Sequence, residues 1–323
     1  MKVAVTGGSG VVGRAVVRHL VAGGFDVVAT SRSVEADAIL ASLGATPARA
    51  DILDHDSLVS AFDGAERVFH VAGLNAMCVQ DPVPMWEANI DGTLTVAESA
   101  VEAGAVRLVY TSSAAVLGEP RDAIGDEESE HRGRFLSRYE ESKYLAEHAL
   151  FQLDPAIEFV VVNPSSVQGP GRATGTGELI LDVLNGKLKV LADTSLSLVD
   201  IDDCARGHLL AAERGADRRR YVLNSFTLTA RQAVSLISDV LDSPLDVRFA
   251  PPWLVRPAGP VADFLRWIKL PIPFCGEMIA TLAHGHRYDG SRATAELGLE
   301  YTAARPFIGR LVDWFRSEGL TER

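Results

Sequence analysis

Short runs of β-branched and apolar residues alternate with amphipathic stretches through the first half of the chain. Residues 2–5 open as a strand of the fully buried kind. A turn of small residues, Thr6-Gly7-Gly8-Ser9-Gly10, follows, and residues 11–20 continue with helical spacing and no breaker after Gly13. The same rhythm predicts strands over 26–30 (DVVAT), 45–50, 67–71 (RVFHV), 107–111 (RLVYT) and 158–163 (EFVVVN). Helices are predicted between them over 35–43, 56–62 and 84–103, and from near Ser137 onward. The long 84–103 segment carries apolar residues at Ala88, Leu94, Val96, Ala97 and Val101. Strand–helix alternation of this kind builds an α/β fold: a doubly wound parallel sheet with helices on both faces.

After Pro164 the rhythm changes. Residues 169–177 (GPGRATGTG) are glycine-rich and read as a mobile loop. Short strands are expected over 189–191, 196–201 and 220–224, and helices over 202–214, 230–241 and 306–315. Asp202 or Asp203 lies near the start of the first of these, where the helix dipole favours an acid. Residues 251–274 are apolar and aromatic, with Trp253, Phe264 and Trp267, and read either as a pocket lining or as core. Residues 114–137 carry the charged run GDEESEHRGR and read as a solvated loop or lid. The expected organisation is a dinucleotide-binding core over 1–165 and a smaller substrate lobe over 166–323, some of whose segments return to the core.

The chain has 323 residues, enough to bury a sizeable core. Its net charge of −12 argues against non-specific nucleic-acid binding. No run of eighteen apolar residues is present, so no membrane span is expected. The first strand begins at residue 2, which leaves no room for a signal peptide. The three cysteines, Cys78, Cys204 and Cys275, have no metal-ligand spacing and read as reduced and intracellular, hence cytoplasmic.

The glycines carry the first chemical signal. Gly7, Gly10 and Gly13 form G-x-x-G-x-x-G, and Gly8, Gly10 and Gly13 form G-x-G-x-x-G. Strand, glycine turn and helix together aim backbone N–H groups at a pyrophosphate. In such folds an acid at the end of the second strand takes the ribose hydroxyls of NAD. Here that strand ends Thr30-Ser31-Arg32 with no acid. Arg32 can pair with a 2′-phosphate and Ser31 can hydrogen-bond it, which favours NADP over NAD. His70, on a strand just before the sheet edge, reads as a packed histidine rather than a catalytic one.

Tyr139 and Lys143 stand four apart in YEESK, on one face of the helix predicted there. An ammonium so placed can lower the phenol's pKa and hold ribose hydroxyls. A tyrosine tuned this way can give or take a proton at a carbonyl or alcohol oxygen. Ser113, at the end of a sheet strand, can donate to the same oxygen.

At this point the chain resembles an extended short-chain dehydrogenase/reductase, of the NAD-dependent epimerase/dehydratase superfamily, with a Rossmann-type sheet. TGGSGVVG, the pair Asp51-Ile52, VFHVAG, NIDGT, YTSSAAVLG, YEESK and NPSSVQGPG occur in that family's order. NPSSVQGPG and the tail YDGSRATAELGLEYT are most similar to dihydroflavonol-4-reductase-like and 3β-hydroxysteroid-dehydrogenase-like reductases. The resemblance implies Tyr139 as general acid/base, Lys143 as its partner and ribose clamp, and Ser113 as donor to the carbonyl oxygen. It places Gly7, Gly10, Val11, Val12 and Gly13 at the pyrophosphate, and Asp51 and Ile52 at the adenine. Ala72 and Gly73 would lie along the cofactor, Asn89 would support that region, and Pro164, Ser165 and Ser166 would contact the nicotinamide carboxamide. It implies no metal, and a homodimer formed through the helices over 84–103 and 137–152.

The expected activity is therefore hydride transfer between a nicotinamide and a small-molecule ketone, aldehyde or secondary alcohol. A nucleotide-sugar epimerase or dehydratase with tightly bound NAD is the competing reading; a non-catalytic NADP-sensing regulator is a third, against which the retained tyrosine and lysine stand.

Overall fold

The computed structural model describes residues 1–272 and 274–322. β1 (Lys2–Thr6), α1 (Val11–Ala22), β2 (Asp26–Ser31), α2 (Val34–Ser42), β3 (Thr46–Arg49), α3 (His55–Phe62) and β4 (Arg67–His70) alternate in order. α4 (Val83–Trp86), a π turn (Glu87–Asp91) and α5 (Gly92–Glu102) then lead to β5 (Arg107–Thr111), α6 (Arg138–Leu153) and β6 (Glu158–Pro164). The second half adds β7 (Ser166–Gln168), α7 (Thr176–Leu184), β8 (Val190–Ala192), β9 (Ser195–Asp200), α8 (Ile201–Arg214), β10 (Arg219–Leu223), β11 (Phe226–Thr229) and α9 (Ala230–Leu241). It ends with β12 (Arg248–Ala250), α10 (Pro252–Val255), α11 (Ala258–Trp267), α12 (Gly276–His284) and α13 (Ala304–Ser317).

Seven strands form one sheet in the order β3-β2-β1-β4-β5-β6-β10, every pair parallel. This is the doubly wound Rossmann arrangement, with strand order reversing beside β1. Successive strand residues point to opposite faces. Val3, Val5, Val109 and Val160 therefore pack with α1 and α8 on one side. Ala4, Leu108, Tyr110 and Val161 pack with α3, α5 and α6 on the other. Both faces are covered, which is why the strands read as continuous apolar runs. A separate core joins Leu184, Leu198 and Ile237 to Phe307, Leu311 and Phe315 of α13.

Four expectations are corrected. Cys78 and Cys275, 197 residues apart, form a disulfide, and among the described residues only Cys204 is a free, buried thiol. The pairing is a tertiary adjacency that no local spacing encodes, and it removes the ground on which an intracellular compartment was expected. The segment over 114–137 is not a solvated lid. Glu119 and Glu127 are buried, and Glu127 accepts a hydrogen bond from the Val222 N–H of edge strand β10 at 2.7 Å. Glu127 and Glu128 pair with Arg292, and Arg132 pairs with Glu140, so this part of a charged run could be packed. Residues 169–177, read as a mobile loop, fold into turns closed by Arg172 N–H to Gly169 O (3.2 Å) and Gly177 N–H to Thr174 O (3.1 Å).

The aromatic stretch is not core, and only Trp267 among its named rings lines a groove. Trp253, Phe264 and Trp267 are 69%, 57% and 78% exposed, while the small residues Gly259 and Ala262 of α11 face inward. Pro273 of that stretch lies outside the described residues. Among the described residues no helix is long and apolar enough to cross a membrane.

Candidate active site

The C-terminal ends of β1, β4, β5 and β6 converge on one crevice, built first by the β1–α1 turn. Gly7 has φ +70°, and a β-carbon there would lie 2.5 Å from the Ala72 nitrogen. A β-carbon on Gly13 would lie 2.0 Å from the Gly7 carbonyl oxygen, so only glycine lets α1 start this close to β1. The Gly10 N–H donates to Gly7 O at 3.0 Å. Gly10 is the N-cap of α1 and offers no side-chain cap. The first N–H groups of a twelve-residue helix therefore remain available to an anion. A dinucleotide pyrophosphate fits this cradle. Val11 and Val12 turn into the core beside it.

His70 is a buried strut behind the turn. Its Nδ1 shares a 2.7 Å hydrogen bond with Thr6 Oγ1, and its Nε2 lies 3.1 Å from Thr93 Oγ1. Thr6 Oγ1 also accepts from the Ala72 N–H at 3.3 Å, and Thr93 Oγ1 donates to Asn89 O at 2.6 Å. That set of donors fits the neutral Nε2–H tautomer. Burial, helped by the nearby Lys143 charge, lowers the imidazole to about 3, so it stays neutral.

At the far end of the crevice, Arg32 is exposed and sits 3.5 Å from Asp51. Ser31 is buried, and its hydroxyl donates to Asp37, which also pairs with Arg49 at 2.7 Å. Asp37 is an acid beside β2 that lies too far along the chain to be read as the strand-end residue. The Ile52 side chain packs against Gly92, where a β-carbon would lie 2.8 Å from Ile52 Cδ1.

At the near end, Ser137 caps α6 by accepting the Glu140 N–H at 3.1 Å. This fixes the helix that carries Tyr139 and Lys143. Lys143 is buried; its Nζ donates to Thr111 O at 2.8 Å and stands 4.5 Å over the Tyr110 ring. Burial brings the ammonium down to about 7, partly offset by the Glu147 carboxylate. Burial raises the half-buried Tyr139 phenol above its ordinary value, against the smaller opposing influence of the nearby Ser113 hydroxyl and the positive charge of Arg172. The charge acting on the phenol is thus Arg172 rather than Lys143, which is turned toward β5. Arg172 has its Nε buried and without a hydrogen-bond partner. It stands in GPGRATGTG, a segment that its glycines made easy to pass over.

Asn89 joins the two ends. Its side chain accepts the Leu74 N–H at 2.8 Å and donates to Leu74 O at 2.9 Å and to Ser142 Oγ at 2.8 Å. A β-carbon on Gly73 would approach Asn89 Oδ1 to 3.0 Å and Lys143 Nζ to 3.8 Å. Pro164 ends β6, and the Ser165 N–H donates to Leu223 O at 2.9 Å. Ser166 donates to Thr176 and so faces away from a carboxamide donor role. Ser112 Oγ and Ser165 Oγ are buried without partners at the ends of β5 and β6, as befits polar atoms beside a cofactor. The structure thus gathers Gly7, Gly10, Gly13, Ala72, Gly73, Asn89, Ser113, Tyr139, Lys143 and Ser165 around one crevice. It sets Ser31, Arg32, Asp51 and Ile52 at the outer end.

A second polar cluster lies behind α6. His286 Nδ1 is 2.7 Å from Glu119 Oε1 and 2.9 Å from the Tyr288 hydroxyl. Burial alone would raise the Glu119 carboxyl, but the neighbouring imidazoles of His284, 3.6 Å away, and His286, 2.7 Å away, bring it down to about 2. Glu119 and the 284–288 segment, from distant parts of the chain, are tied together here.

Comparison with known proteins bears on this arrangement. The profile of the NAD dependent epimerase/dehydratase family matches residues 3–223. A Synechocystis sp. protein with a provisional dihydroflavonol 4-reductase name is 31% identical, over 98% of this chain and 95% of its own length. Sterol demethylase protein B of Methylococcus capsulatus is 29% identical over 99% of this chain and 100% of its own. The crystal structure of gox2253 superposes with a TM-score of 0.87 at 30% identity, covering 99% of each chain.

Proposed function

The chain belongs to the NAD dependent epimerase/dehydratase family, and within it we propose that it is a carbonyl reductase: an NADP-preferring enzyme that interconverts a ketone or aldehyde with the corresponding alcohol. When bound, the nicotinamide cofactor supplies or accepts the hydride at the substrate carbon. Tyr139 gives its phenolic proton to the carbonyl oxygen in the reductive direction and takes it back in the other. Ser113 donates a hydrogen bond to the same oxygen. Arg172 opposes the upward push of burial on the phenol, and Lys143, held by Thr111 O, is placed to take a ribose hydroxyl. Gly7, Gly10 and Gly13 cradle the pyrophosphate, and Arg32 meets the 2′-phosphate in exchange for its contact with Asp51.

The observation that carries this reading is the placement of Tyr139 in the first turn of α6, capped by Ser137, one turn before the buried Lys143 whose Nζ donates to Thr111 O at 2.8 Å. Reductase names among the relatives over nearly the whole chain support it, including cinnamoyl-CoA reductase 1 of Petunia hybrida. We further propose a homodimer through α5 and α6, which pack side by side.

The test is Tyr139→Phe, assayed on a panel of ketones and aldehydes with NADPH and NADH. Cofactor affinity should be nearly unchanged and turnover should fall by about 100- to 10,000-fold, the usual worth of a positioned acid/base. Retained turnover refutes the assignment of Tyr139. Cofactor that cannot be stripped, with activity on nucleotide sugars and no added NADPH, refutes the reductase reading.

A further inference from the structure

The surface over α10, α11 and the segment that follows is unlike the rest of the molecule. Trp253, Leu254, Val261, Phe264, Trp267 and Ile268 are all exposed there, and Leu270 and Phe274 extend the face. Phe264 and Trp267 lie ring against ring, with centroids 5.9 Å apart. Isolated exposed apolar side chains are ordinary, but a contiguous set this rich in tryptophan and phenylalanine marks a surface that something covers.

The segment is rigidly presented. The Arg266 guanidinium donates to Ile272 O at 3.3 Å and to Cys78 O at 2.9 Å. Asp263 accepts the Gly276 N–H at 2.7 Å, and the Cys78–Cys275 disulfide fastens the end of the segment to the loop after β4. The aromatic rings therefore cannot fold back into a core, and they face outward in the stable structure.

Charge selects what covers them. Residues 251–274 carry Arg256, Arg266 and Lys269 against Asp263 alone, a net charge of +2 in a chain of net charge −12. Arg256 and Lys269 are exposed at the margins of the apolar face. Tryptophan and phenylalanine on a short helix, with cations at the rim, is the chemistry of a helix lying in a lipid–water interface. A two-fold contact between copies would instead bring two +2 surfaces together. Charges of the chain that lie more than a Debye length from this face are largely screened.

We propose that the face formed by α10, α11, residues 268–272 and Phe274 is a docking site for an anionic lipid bilayer surface, the protein resting on the membrane without crossing it. A groove of about 360 Å³ at its foot is lined by Cys78, Gln80, Arg138, Trp267 and Glu277. Arg138 is the residue before Tyr139, so the groove links the docking face to the start of α6. A membrane-dissolved substrate reaching the crevice along that groove is the use this placement suits. This last step rests on the reductase reading; the docking itself does not.

The test is co-sedimentation of the full chain with vesicles of phosphatidylcholine containing phosphatidylglycerol, compared with pure phosphatidylcholine. Binding is expected to the anionic vesicles, weaker to the neutral ones. Phe264→Glu and Trp267→Glu each remove one buried-on-docking ring and should lower the partition constant by about 10- to 100-fold. Both side chains are exposed, so thermal unfolding and NADPH binding should stay as in the wild type and report an intact fold. Lys269→Glu should weaken binding to anionic vesicles and leave the neutral ones nearly unaffected. No sedimentation of the wild type, or equal sedimentation of the two glutamate variants, overturns the proposal. So does lipid-free self-association that the Trp267→Glu variant abolishes, because a second copy then covers the face. Loss of docking without loss of reductase activity on a water-soluble ketone leaves the active-site assignment standing, and the reverse result leaves the docking site standing.

Discussion

Replacing Lys143 by Met should make the cofactor-free protein more stable near neutral pH while removing its activity. Lys143 is 4% exposed, and burial brings its ammonium from an ordinary 10.5 to about 7. The unfolded chain therefore holds a proton on this group between about pH 7 and about pH 10.5 that the native chain does not. Stability then rises with pH across that window, because the unfolded state binds more protons. Below about pH 7 the full linkage of about 5 kcal/mol opposes folding, at about 1.4 kcal/mol per pKa unit. Between about pH 7 and about pH 9, on the order of 2 kcal/mol of that opposition is relieved. Met fills nearly the same volume and carries no charge, so the variant lacks this slope. Glu147, the carboxylate that partly supports the ammonium, keeps Arg220 at 2.5 Å and a hydrogen bond from Asn163 at 2.8 Å. Its burial is thus not left uncompensated. Urea unfolding of wild type and Lys143→Met at several pH values across this window measures the difference directly. The two stability curves should converge as pH rises. Parallel curves would refute the claim that burial of this ammonium, rather than its partners, sets its protonation.

Three further outcomes follow from distances and pairings. Gly10→Ala should fold normally, since its β-carbon would stand 3.3 Å from Gly7 O, yet lose most dinucleotide affinity in calorimetry; Gly13→Ala, with a 2.0 Å approach, should destabilise the fold by about 3 kcal/mol or more. An alanine at position 10 that binds cofactor as tightly as glycine would remove the cradle assignment. Arg32→Asp should shift preference from NADPH toward NADH with little change in stability, because its exposed pair with Asp51 is worth at most about 1 kcal/mol; an unchanged preference means Arg32 does not read the 2′-phosphate. Thiol titration of the denatured, unreduced protein should find one reactive cysteine, Cys204, and reduction should lower stability by up to about 5 kcal/mol for a closed loop of this length. Three reactive thiols before reduction would refute the Cys78–Cys275 bridge.

What could be read from the sequence was what local chemistry enforces. The strand, glycine turn and helix over the first twenty residues are legible because a β-carbon at Gly7 or Gly13 has no room. The parallel sheet is legible because strands covered on both faces must be apolar throughout. The four-residue spacing of Tyr139 and Lys143 marks one helix face. Cys78 and Cys275 were illegible as a pair because their adjacency depends on how residues 251–274 sit against the loop after β4. The direction of the aromatic face was illegible for a related reason: Trp and Phe at helical spacing read the same whether they point into a core or away from it. Arg172 was hidden because a glycine-rich segment signals backbone freedom and says nothing of the side chain it delivers. The long helix over 84–103 was legible as a helix but not as one interrupted by a π turn.

That π turn connects the legible parts to one another. Residues 87–91 insert an extra backbone position just where Asn89 lies, and such turns recur at functional sites. From the turn after β4, the Ala72 N–H donates to Thr6 Oγ1, which meets His70; His70 meets Thr93, and Thr93 donates to Asn89 O. The Asn89 side chain then donates to Ser142 Oγ, and Ser142 donates to the carbonyl oxygen of Tyr139. One continuous set of hydrogen bonds, buried through its middle, therefore runs from the strand end beside the pyrophosphate cradle to the backbone of the proposed acid/base residue. The four central links are buried, so breaking one of them leaves an unsatisfied polar atom that costs about 1–3 kcal/mol. The cradle and the phenol are held in register by this network through α5, rather than by direct contact. A change at Asn89 or His70 would therefore disturb cofactor seating and proton transfer together, although neither side chain need touch the substrate.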